Sequence, residues 1–199
     1  KYNIIIWIYH TSFAFESSSI TKLYLPASIE ELKDGWCKNI ANLKDISISS
    51  ANKNYKLYDN MLLGKTDPQN DSYDTIFFTK RNIRQVFIPP YIKKIKPYAF
   101  SSCAYLQYVE IPENSALEVI GERAFYNSNI FKLFIPKSVK TIEKNAFGLC
   151  NYLYKIEFSE NCEINSIPEE LFMYSSIKSF NIPANVVEIK DNWCKEANY

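Results

Sequence analysis

The stretch that decides the fold is VEIPENSALEVIGERAF, residues 109–125, because the chain contains a second version of it. Residues 156–172 read IEFSENCEINSIPEELF, and the two stretches run in step, with starts 47 residues apart. A repeat at a fixed spacing is typical of a chain built from an array of similar structural units. The spacing is therefore the first property to follow along the rest of the sequence.

Each repeat begins with two apolar residues separated by one other residue, and seven such pairs occur. They are Leu23/Leu25, Ile46/Ile48, Val86/Ile88, Val109/Ile111, Leu133/Ile135, Ile156/Phe158 and Phe180/Ile182. From Val86 onward the pairs step by 23, 24, 23 and 24 residues, and the first step is also 23. Only the step from Ile46 to Val86 departs, at 40 residues, which is one 24-residue unit plus 16 extra residues. We therefore predict an insertion within residues 49–76.

The residues that follow each pair also recur in a fixed order. A proline or serine comes first, then two apolar residues three apart, then a Phe that usually follows an Ala. The apolar pair has the two-residue period of a β-strand, and proline suits the end of a strand because it lacks an N–H. Ile120 and Ala124 are four residues apart, which favours a brief helical or 3-10 turn after the strand.

A unit of this length cannot bury a core alone, but stacked units can share one. The sequence therefore predicts an α/β solenoid, forming a single domain over residues 1–199 with about seven units and partial units at both ends. The strands would form one seven-stranded parallel sheet on the concave face, about 4.8 Å apart, with short helical or 3-10 turns on the convex face. Within the insertion, YKLYDNMLL at 55–63 indicates a β-hairpin that turns at Asp59-Asn60, followed by a polar loop.

Two of the units carry a resemblance to a known family. VFIPPYIKKIKPYAFSSCAYLQ (86–107) and LFIPKSVKTIEKNAFGLCNYLY (133–154) resemble the BspA-like leucine-rich repeats almost position by position. DGWC at 34–37, and NYKLYDNMLLGKTDP followed by IFFTKRNI, are similar to the protist branch of that family. The resemblance covers about residues 14–194. It implies a leucine-rich-repeat superhelix that binds other macromolecules as a surface antigen or adhesin and has no catalytic activity of its own.

Composition narrows the classes of partner. The formal net charge is +1, from 23 basic and 22 acidic residues, which gives no electrostatic reason to bind nucleic acid or an anionic membrane. No run approaches the roughly 20 apolar residues of a membrane span, and KYNIIIWIYH (1–10) is not followed by a small-residue cleavage site. The resemblance implies the cell surface or secretion, while a cytoplasmic location stays open. Because the chain does not begin with Met, we interpret it as a fragment or a processed chain.

The sequence predicts no catalytic residue, no cofactor and no metal site. The only histidine is His10, and no phosphate-binding, zinc-binding or nucleophile motif is present. Among the five cysteines, Cys162 lies in a turn of the repeat and is expected to be the exposed thiol, while the other four are expected in the core.

A carbohydrate-active enzyme on a repeat scaffold is the less favoured alternative. Glu110 and Glu157 occupy equivalent places in their units and could act as a pair of carboxylates. Two layers of strand spacing would separate them by roughly 10 Å, which is wide even for an inverting pair. Two solvated acids are therefore the preferred interpretation.

The positive functional prediction concerns the concave face of the sheet. If the paired apolar residues point inward, the residues between and before them point outward. The predicted partner-binding residues are Tyr24, Phe87, Tyr108, Glu110, Lys132, Phe134, Lys155 and Glu157. Exposed aromatic rings beside charged groups suit a surface that binds a protein or, as a second option, a glycan.

Two alternatives to this partner-binding surface stay open. The rings could only pair across strands, in which case the chain would be a structural spacer without its own ligand. The absence of polar caps at the ends also leaves end-to-end self-association open.

Overall fold

The computed structural model describes residues 15–197, so the predictions for KYNIIIWIYH and its His10 lie outside the described residues. Within this range the chain forms short strands and turns and no helix, and hence no helix able to cross a membrane. In chain order the strands are β1 Lys22–Leu25, β2 Asp45–Ile48, β3 Tyr55–Tyr58, β4 Met61–Gly64, β5 Thr75–Thr79, β6 Gln85–Phe87, β7 Lys94–Ile95, β8 Tyr108–Glu110, β9 Val119–Ile120, β10 Lys132–Ile135, β11 Thr141–Ile142, β12 Lys155–Phe158, β13 Ser166–Ile167, β14 Ser179–Phe180 and β15 Glu188–Ile189.

The repeated apolar pairs lie on stacked parallel strands, as the period predicts. β6, β8, β10, β12 and β14 form one five-stranded parallel sheet in that order. Val86 pairs with Val109, and Ile156 pairs with both Leu133 and Phe180. Equivalent residues of successive units therefore lie side by side, and one continuous core forms beneath them.

The prediction of a single seven-stranded sheet is wrong. β1 and β2 form a separate two-stranded parallel sheet, and β2 is not paired with β6. The insertion lies between these two strands in the chain and forms its own antiparallel strands, β3, β4 and β5. The predicted hairpin is confirmed, with Tyr58 opposite Met61 across Asp59-Asn60. The insertion thus interrupts the concave sheet.

The predicted helical or 3-10 turns on the convex face are not confirmed, since the described residues form no helix. Two-residue strands occupy this face instead, and β7, β9 and β11 pair in parallel and continue through β5 to the hairpin. Ile95, Ile120 and Ile142 lie in register along this second sheet. Many backbone N–H and C=O groups of each unit are bonded to the units above and below, and single bonds such as Ala124 N to Gly121 O close the turns. β-Branched pairs such as Val119-Ile120 also favour the extended conformation.

The Phe of each unit lies in a tight turn that forms a third backbone ladder. Phe100 N donates to Ala124 O at 2.8 Å, and Phe125 N donates to Ala146 O at 2.9 Å. In each turn, the residues two positions before and two positions after the Phe have positive φ, with Cys194 in place of the Phe in the last turn. The pairs are Tyr98/Ser102, Arg123/Asn127, Asn145/Leu149, Glu170/Tyr174 and Asn192/Glu196. This repeated left-handed pair reverses the chain between the two sheets.

The phenyl rings of these turns stack through the core. Phe100, Phe125, Phe147 and Phe172 have centroids 4.8, 5.6 and 5.9 Å apart, and Trp193 follows at 6.3 Å. All four Phe side chains are fully buried. The predicted role of this Phe as the residue that fills the space between layers is therefore confirmed.

A buried arginine lies where this column is interrupted. Phe78 belongs to a second core cluster with Trp36, and the guanidinium of Arg81 lies 4.3 Å from the Phe78 ring. Arg81 Nε donates to Ile40 O at 3.0 Å, and Nη1 donates to Ala99 O at 2.8 Å. Arg81 therefore links the two halves of the core.

The cysteines follow the predicted pattern except at two positions. Cys37, Cys103 and Cys150 are fully buried, and burial raises the pKa of Cys37 and of Cys150 to about 11, which keeps both thiols protonated. The expectation that Cys162 is exposed is wrong, because its turn folds against the core and leaves 3 % of the residue accessible. Cys194 is half-exposed because it belongs to the last layer described.

Candidate functional site

The concave face is built by the alternation of side chains along β6, β8, β10 and β12. On these strands Val86, Val109, Leu133 and Ile156 pair in register and point inward. The residues directly before and after each of them therefore point outward. In the outward row, Phe87 pairs with Glu110 and Phe134 pairs with Glu157. Phe and Glu therefore alternate from strand to strand across the sheet.

Six of the eight predicted site residues line one groove on this face. The groove has a volume of about 750 Å³ and is lined by Asp59, Gln85, Val86, Phe87, Tyr108, Val109, Glu110, Ile111, Pro112, Glu113, Lys132, Phe134 and Glu157. We call it the aromatic groove. The structure thus brings together Phe87, Tyr108, Glu110, Lys132, Phe134 and Glu157.

The other two predicted residues lie elsewhere. Lys155 lines a neighbouring groove of about 710 Å³, which shares Phe134 and Glu157 with the first and is otherwise rich in Ser and Asn side chains. Tyr24 lies on β1, is 54 % exposed and lines neither groove. Because the insertion separates β2 from β6, Tyr24 does not join the row of rings on the larger sheet.

The rings of the aromatic groove are accessible to a partner. Phe87 is 46 % exposed and Tyr108 is 53 % exposed, while Phe134 is half-buried. The Tyr108 ring packs edge-on against Phe131, with centroids 5.7 Å apart. Apolar rings held open to solvent at fixed positions are a feature of protein-binding surfaces.

The charges around the aromatic groove are mostly negative. Asp59, Glu110, Glu113 and Glu157 line it, together with the single cation Lys132. Glu157 forms an ion pair with Lys155, and the hydrogen bond from Lys155 lowers the pKa of Glu157.

The two carboxylates of the hydrolase alternative lie on strands that are not adjacent. Glu110 lies on β8 and Glu157 on β12, with β10 between them, so two strand spacings of about 4.8 Å separate their backbones. Retaining and inverting pairs require about 5–5.5 Å and 6.5–9.5 Å between the carboxyl groups. In the described part of the chain, no three His, Cys, Asp or Glu side chains are grouped to hold a metal ion.

Sequence reasoning missed two parts of this surface. Asp59 lies in the turn of the inserted hairpin, and its position beside Phe87 and Glu110 depends on how the hairpin packs. Tyr105 and Tyr152 are also exposed, and the Tyr152 ring lies 6.2 Å from that of Phe131. The spacing of 47 residues between the two tyrosines was a signal that could have revealed them.

The last unit leaves an apolar surface on the solenoid. Ile182 and Ile189 are exposed, and Val187 is 89 % exposed. End-to-end self-association through this surface stays a prediction, which sedimentation at increasing protein concentration would test.

Three solved structures of bacterial proteins are similar in architecture to this chain. A leucine-rich repeat protein from Eubacterium ventriosum superposes with a TM-score of 0.71 at 18% identity, covering 94% of this chain and 61% of that one. The pneumococcal vaccine antigen PcpA gives 0.62 at 18% identity, covering 94% and 57%. A leucine rich cell surface protein from Faecalibacterium prausnitzii gives 0.61 at 24% identity, covering 92% and 42%. The chain therefore spans less than two thirds of the length of each, and at these identities the likeness shows the fold.

The family itself is shown by the sequence. No curated protein is similar enough to count as a relative. The model of the BspA type leucine rich repeat region, however, matches six copies over residues 7–63 and 72–198. Of the residues between the two matched ranges, Gly64 ends β4 and 65–71 belong to the inserted polar loop. The chain therefore belongs to the BspA-type leucine-rich repeat family.

Proposed function

We propose that this chain is a non-enzymatic binding module that recognises a protein partner through the concave face of its solenoid. The observation that carries the proposal is the aromatic groove, where Phe87, Tyr108 and Phe134 lie in adjacent strands and remain accessible. The core beneath them does not depend on these rings, since Val86 and Leu133 on the same strands are buried and Val109 is partly buried. Fixed, exposed rings lose little conformational entropy on binding, which suits them to act as the anchors of an interface.

The solenoid fold and the names of two similar structures extend this proposal to a surface antigen or adhesin. Repeat solenoids present extended concave surfaces that bind other macromolecules. Two structures of the same fold are, by their names, a vaccine antigen and a cell surface protein, and the proposal gives this chain the same location. A protein is preferred to a glycan because the groove combines apolar rings and unpaired carboxylates rather than a dense set of hydrogen-bonding side chains.

A selection from random peptides displayed on phage tests the groove without assuming a partner. We expect wild-type protein to enrich related peptides that do not bind the triple variant Phe87→Ala, Tyr108→Ala, Phe134→Ala. A matched variant, Tyr105→Ala, Tyr152→Ala, Tyr174→Ala, removes three exposed rings outside the groove and should keep the binding. Circular dichroism and thermal unfolding of both variants check that the fold is intact.

Enriched peptides that bind the groove variant as well as the wild type would show that recognition uses another surface. Loss of binding only in the matched variant would move the site to its three tyrosines.

A further inference from the structure

The chemistry of the aromatic groove identifies a class of partner, and this step rests on the proposed function. Asp59, Glu110 and Glu113 line the groove and form no ion pair with any residue between 15 and 197. Glu157 is paired with Lys155, which leaves Lys132 as the groove's only cation. Three unpaired carboxylates against one lysine give the groove a negative field although the whole chain carries +1.

The register of the strands places these charges beside the rings. Phe87 on β6 is paired with Glu110 on the adjacent strand β8, and Phe134 on β10 is paired with Glu157 on the adjacent strand β12. Neighbouring strands lie about 4.8 Å apart, so a cation resting on one ring meets a carboxylate on the adjacent strand. A ring face and a carboxylate both attract an ammonium or guanidinium group.

The inserted hairpin adds to the same field. Its turn residue Asp59 has a positive φ of 51° and lines the groove together with residues of β6 and β8. The insertion therefore supplies a carboxylate that the repeating units alone do not provide.

We propose that the aromatic groove binds an extended segment of a partner protein that carries several Lys or Arg side chains. Their charged groups pair with Asp59, Glu110 and Glu113, and their methylene stems lie on Phe87 and Phe134. The neighbouring groove is the internal contrast. It combines Lys155 with Glu157 and Glu160 and is otherwise lined by uncharged polar and apolar side chains, so it offers a cation less attraction.

Binding of defined peptides measured by fluorescence anisotropy tests this assignment. The probes are fluorescein-labelled (Gly-Lys)₆ and (Gly-Arg)₆, with (Gly-Glu)₆ as the charge-reversed control. We expect both basic peptides to bind at about 0.1 M salt and to weaken strongly toward about 1 M, where charges are screened within about 3 Å. The acidic peptide should not bind.

The decisive variant is Asp59→Asn, Glu110→Gln, Glu113→Gln. Each neutralised exposed carboxylate should weaken binding by about 2- to 5-fold, and the triple variant by at least about 10-fold. The matched control Glu163→Gln, Glu188→Gln, Asp191→Asn removes the same three charges from exposed positions outside both grooves. It should change binding by less than about 2-fold. Phe87→Leu keeps an apolar side chain without the ring's quadrupole and should cost about 2- to 5-fold.

Three results would overturn the assignment. Equal weakening by the two triple variants would show attraction to the net charge of the protein rather than to the groove. Equal binding of acidic and basic peptides would remove the charge preference. If the basic peptides fail to bind while phage-selected peptides still require Phe87, Tyr108 and Phe134, the proposed function stands and the cationic partner is wrong.

Discussion

The two halves of this chain are built from the same repeating unit, yet they are held together differently. From β6 onward, five strands pair without interruption and four phenyl rings stack nearly parallel, at interplanar angles of 8° to 20°. Before the insertion only two strands pair, and in the second core cluster Phe15, Trp36 and Phe78 meet at angles of 79° and 51°. The comparison shows that equal spacing of the units, and not their composition alone, makes the core continuous.

Arg81 marks the boundary between the halves. It stands three residues after Phe78, the place that Cys103 holds after Phe100 and Ser128 holds after Phe125. At this position a long side chain replaces a small one, where the two core clusters meet without stacking directly. Arg81 Nη1 also lies 3.3 Å from Cys103 Sγ. The guanidinium therefore fills the space and joins backbone carbonyl groups on both sides of it.

The largest effect is expected in the regular half. Phe147 is fully buried between Phe125 and Phe172, so Phe147→Ala removes two stacking contacts and opens a cavity. We expect the free energy of unfolding to fall by about 3–5 kcal/mol, measured by urea denaturation. Phe87→Ala, at an exposed ring, is the control and should cost less than about 1 kcal/mol. A small loss at Phe147 would mean that the stack contributes little to the regular half.

A somewhat smaller effect is expected at the boundary. Arg81→Ala removes the hydrogen bonds to Ile40 and Ala99 and leaves a void, although it also removes the cost of burying a charge. We expect a loss of about 2–4 kcal/mol, together with faster hydrogen exchange in β1 and β2 than in β10 and β12.

Arg81→Lys tests the geometry of the boundary, since it keeps the charge but not the planar fork and should recover only part of the stability. Uniform exchange across both halves would contradict a role for Arg81 as their link.

The smallest effect concerns the attachment of the insertion. Asp74 is buried and accepts a hydrogen bond from Thr66 N at 2.8 Å, and it lies 3.3 Å from Lys93 Nζ on the first regular unit. Burial acts to raise the pKa of Asp74, but the bonds from Thr66 and Lys93 outweigh it and hold the pKa below its ordinary value. Because the folded pKa lies below the unfolded one, this contribution to stability is present above about pH 4 and is lost as the pH falls further.

Asp74→Asn should cost about 1–2 kcal/mol at neutral pH, as expected for weakened hydrogen bonds in a buried position. The difference from wild type should shrink toward pH 3, measured by urea unfolding at a series of pH values. Asp71→Asn changes a fully exposed carboxylate 3.7 Å from Lys65 Nζ; it is the matched control and should show little pH dependence. A constant difference at all pH values would show that the charge of Asp74 is not what attaches the loop.

Much of the fold could be predicted because the sequence repeats. Val86, Val109, Leu133 and Ile156 had to share one environment, and a common period allowed only stacked, parallel strands. The hairpin at Asp59-Asn60 was also predictable, since two short apolar runs flank a two-residue turn.

The convex face could not be predicted in the same way. The spacing of Ile120 and Ala124 fits one helical turn, but hydrogen bonds between units favour an extended pair instead. Left-handed conformations at Tyr98, Arg123 and Leu149 have no local signal, because such residues adopt positive φ only when the surrounding structure imposes it.

The candidate site likewise has a part that could be predicted from the sequence and a part that could not. Alternation along a strand placed Phe87, Tyr108 and Phe134 on the outer face, and the constant step placed them on neighbouring strands. The contribution of Asp59 and the separation of Tyr24 depend on where the insertion packs. A single sequence does not contain that information, because it arises from contacts between residues far apart in the chain.

The sequence by itself determined the unit, its register and the direction of its side chains, since a period of 23 or 24 residues and the two-residue alternation of a strand are local properties. Only the tertiary structure decided where the concave sheet ends, which carboxylates meet the aromatic rings and how Arg81 spans the interruption. These features depend on the one insertion that breaks the period, and its place is set by packing and hydrogen bonding against the units on either side.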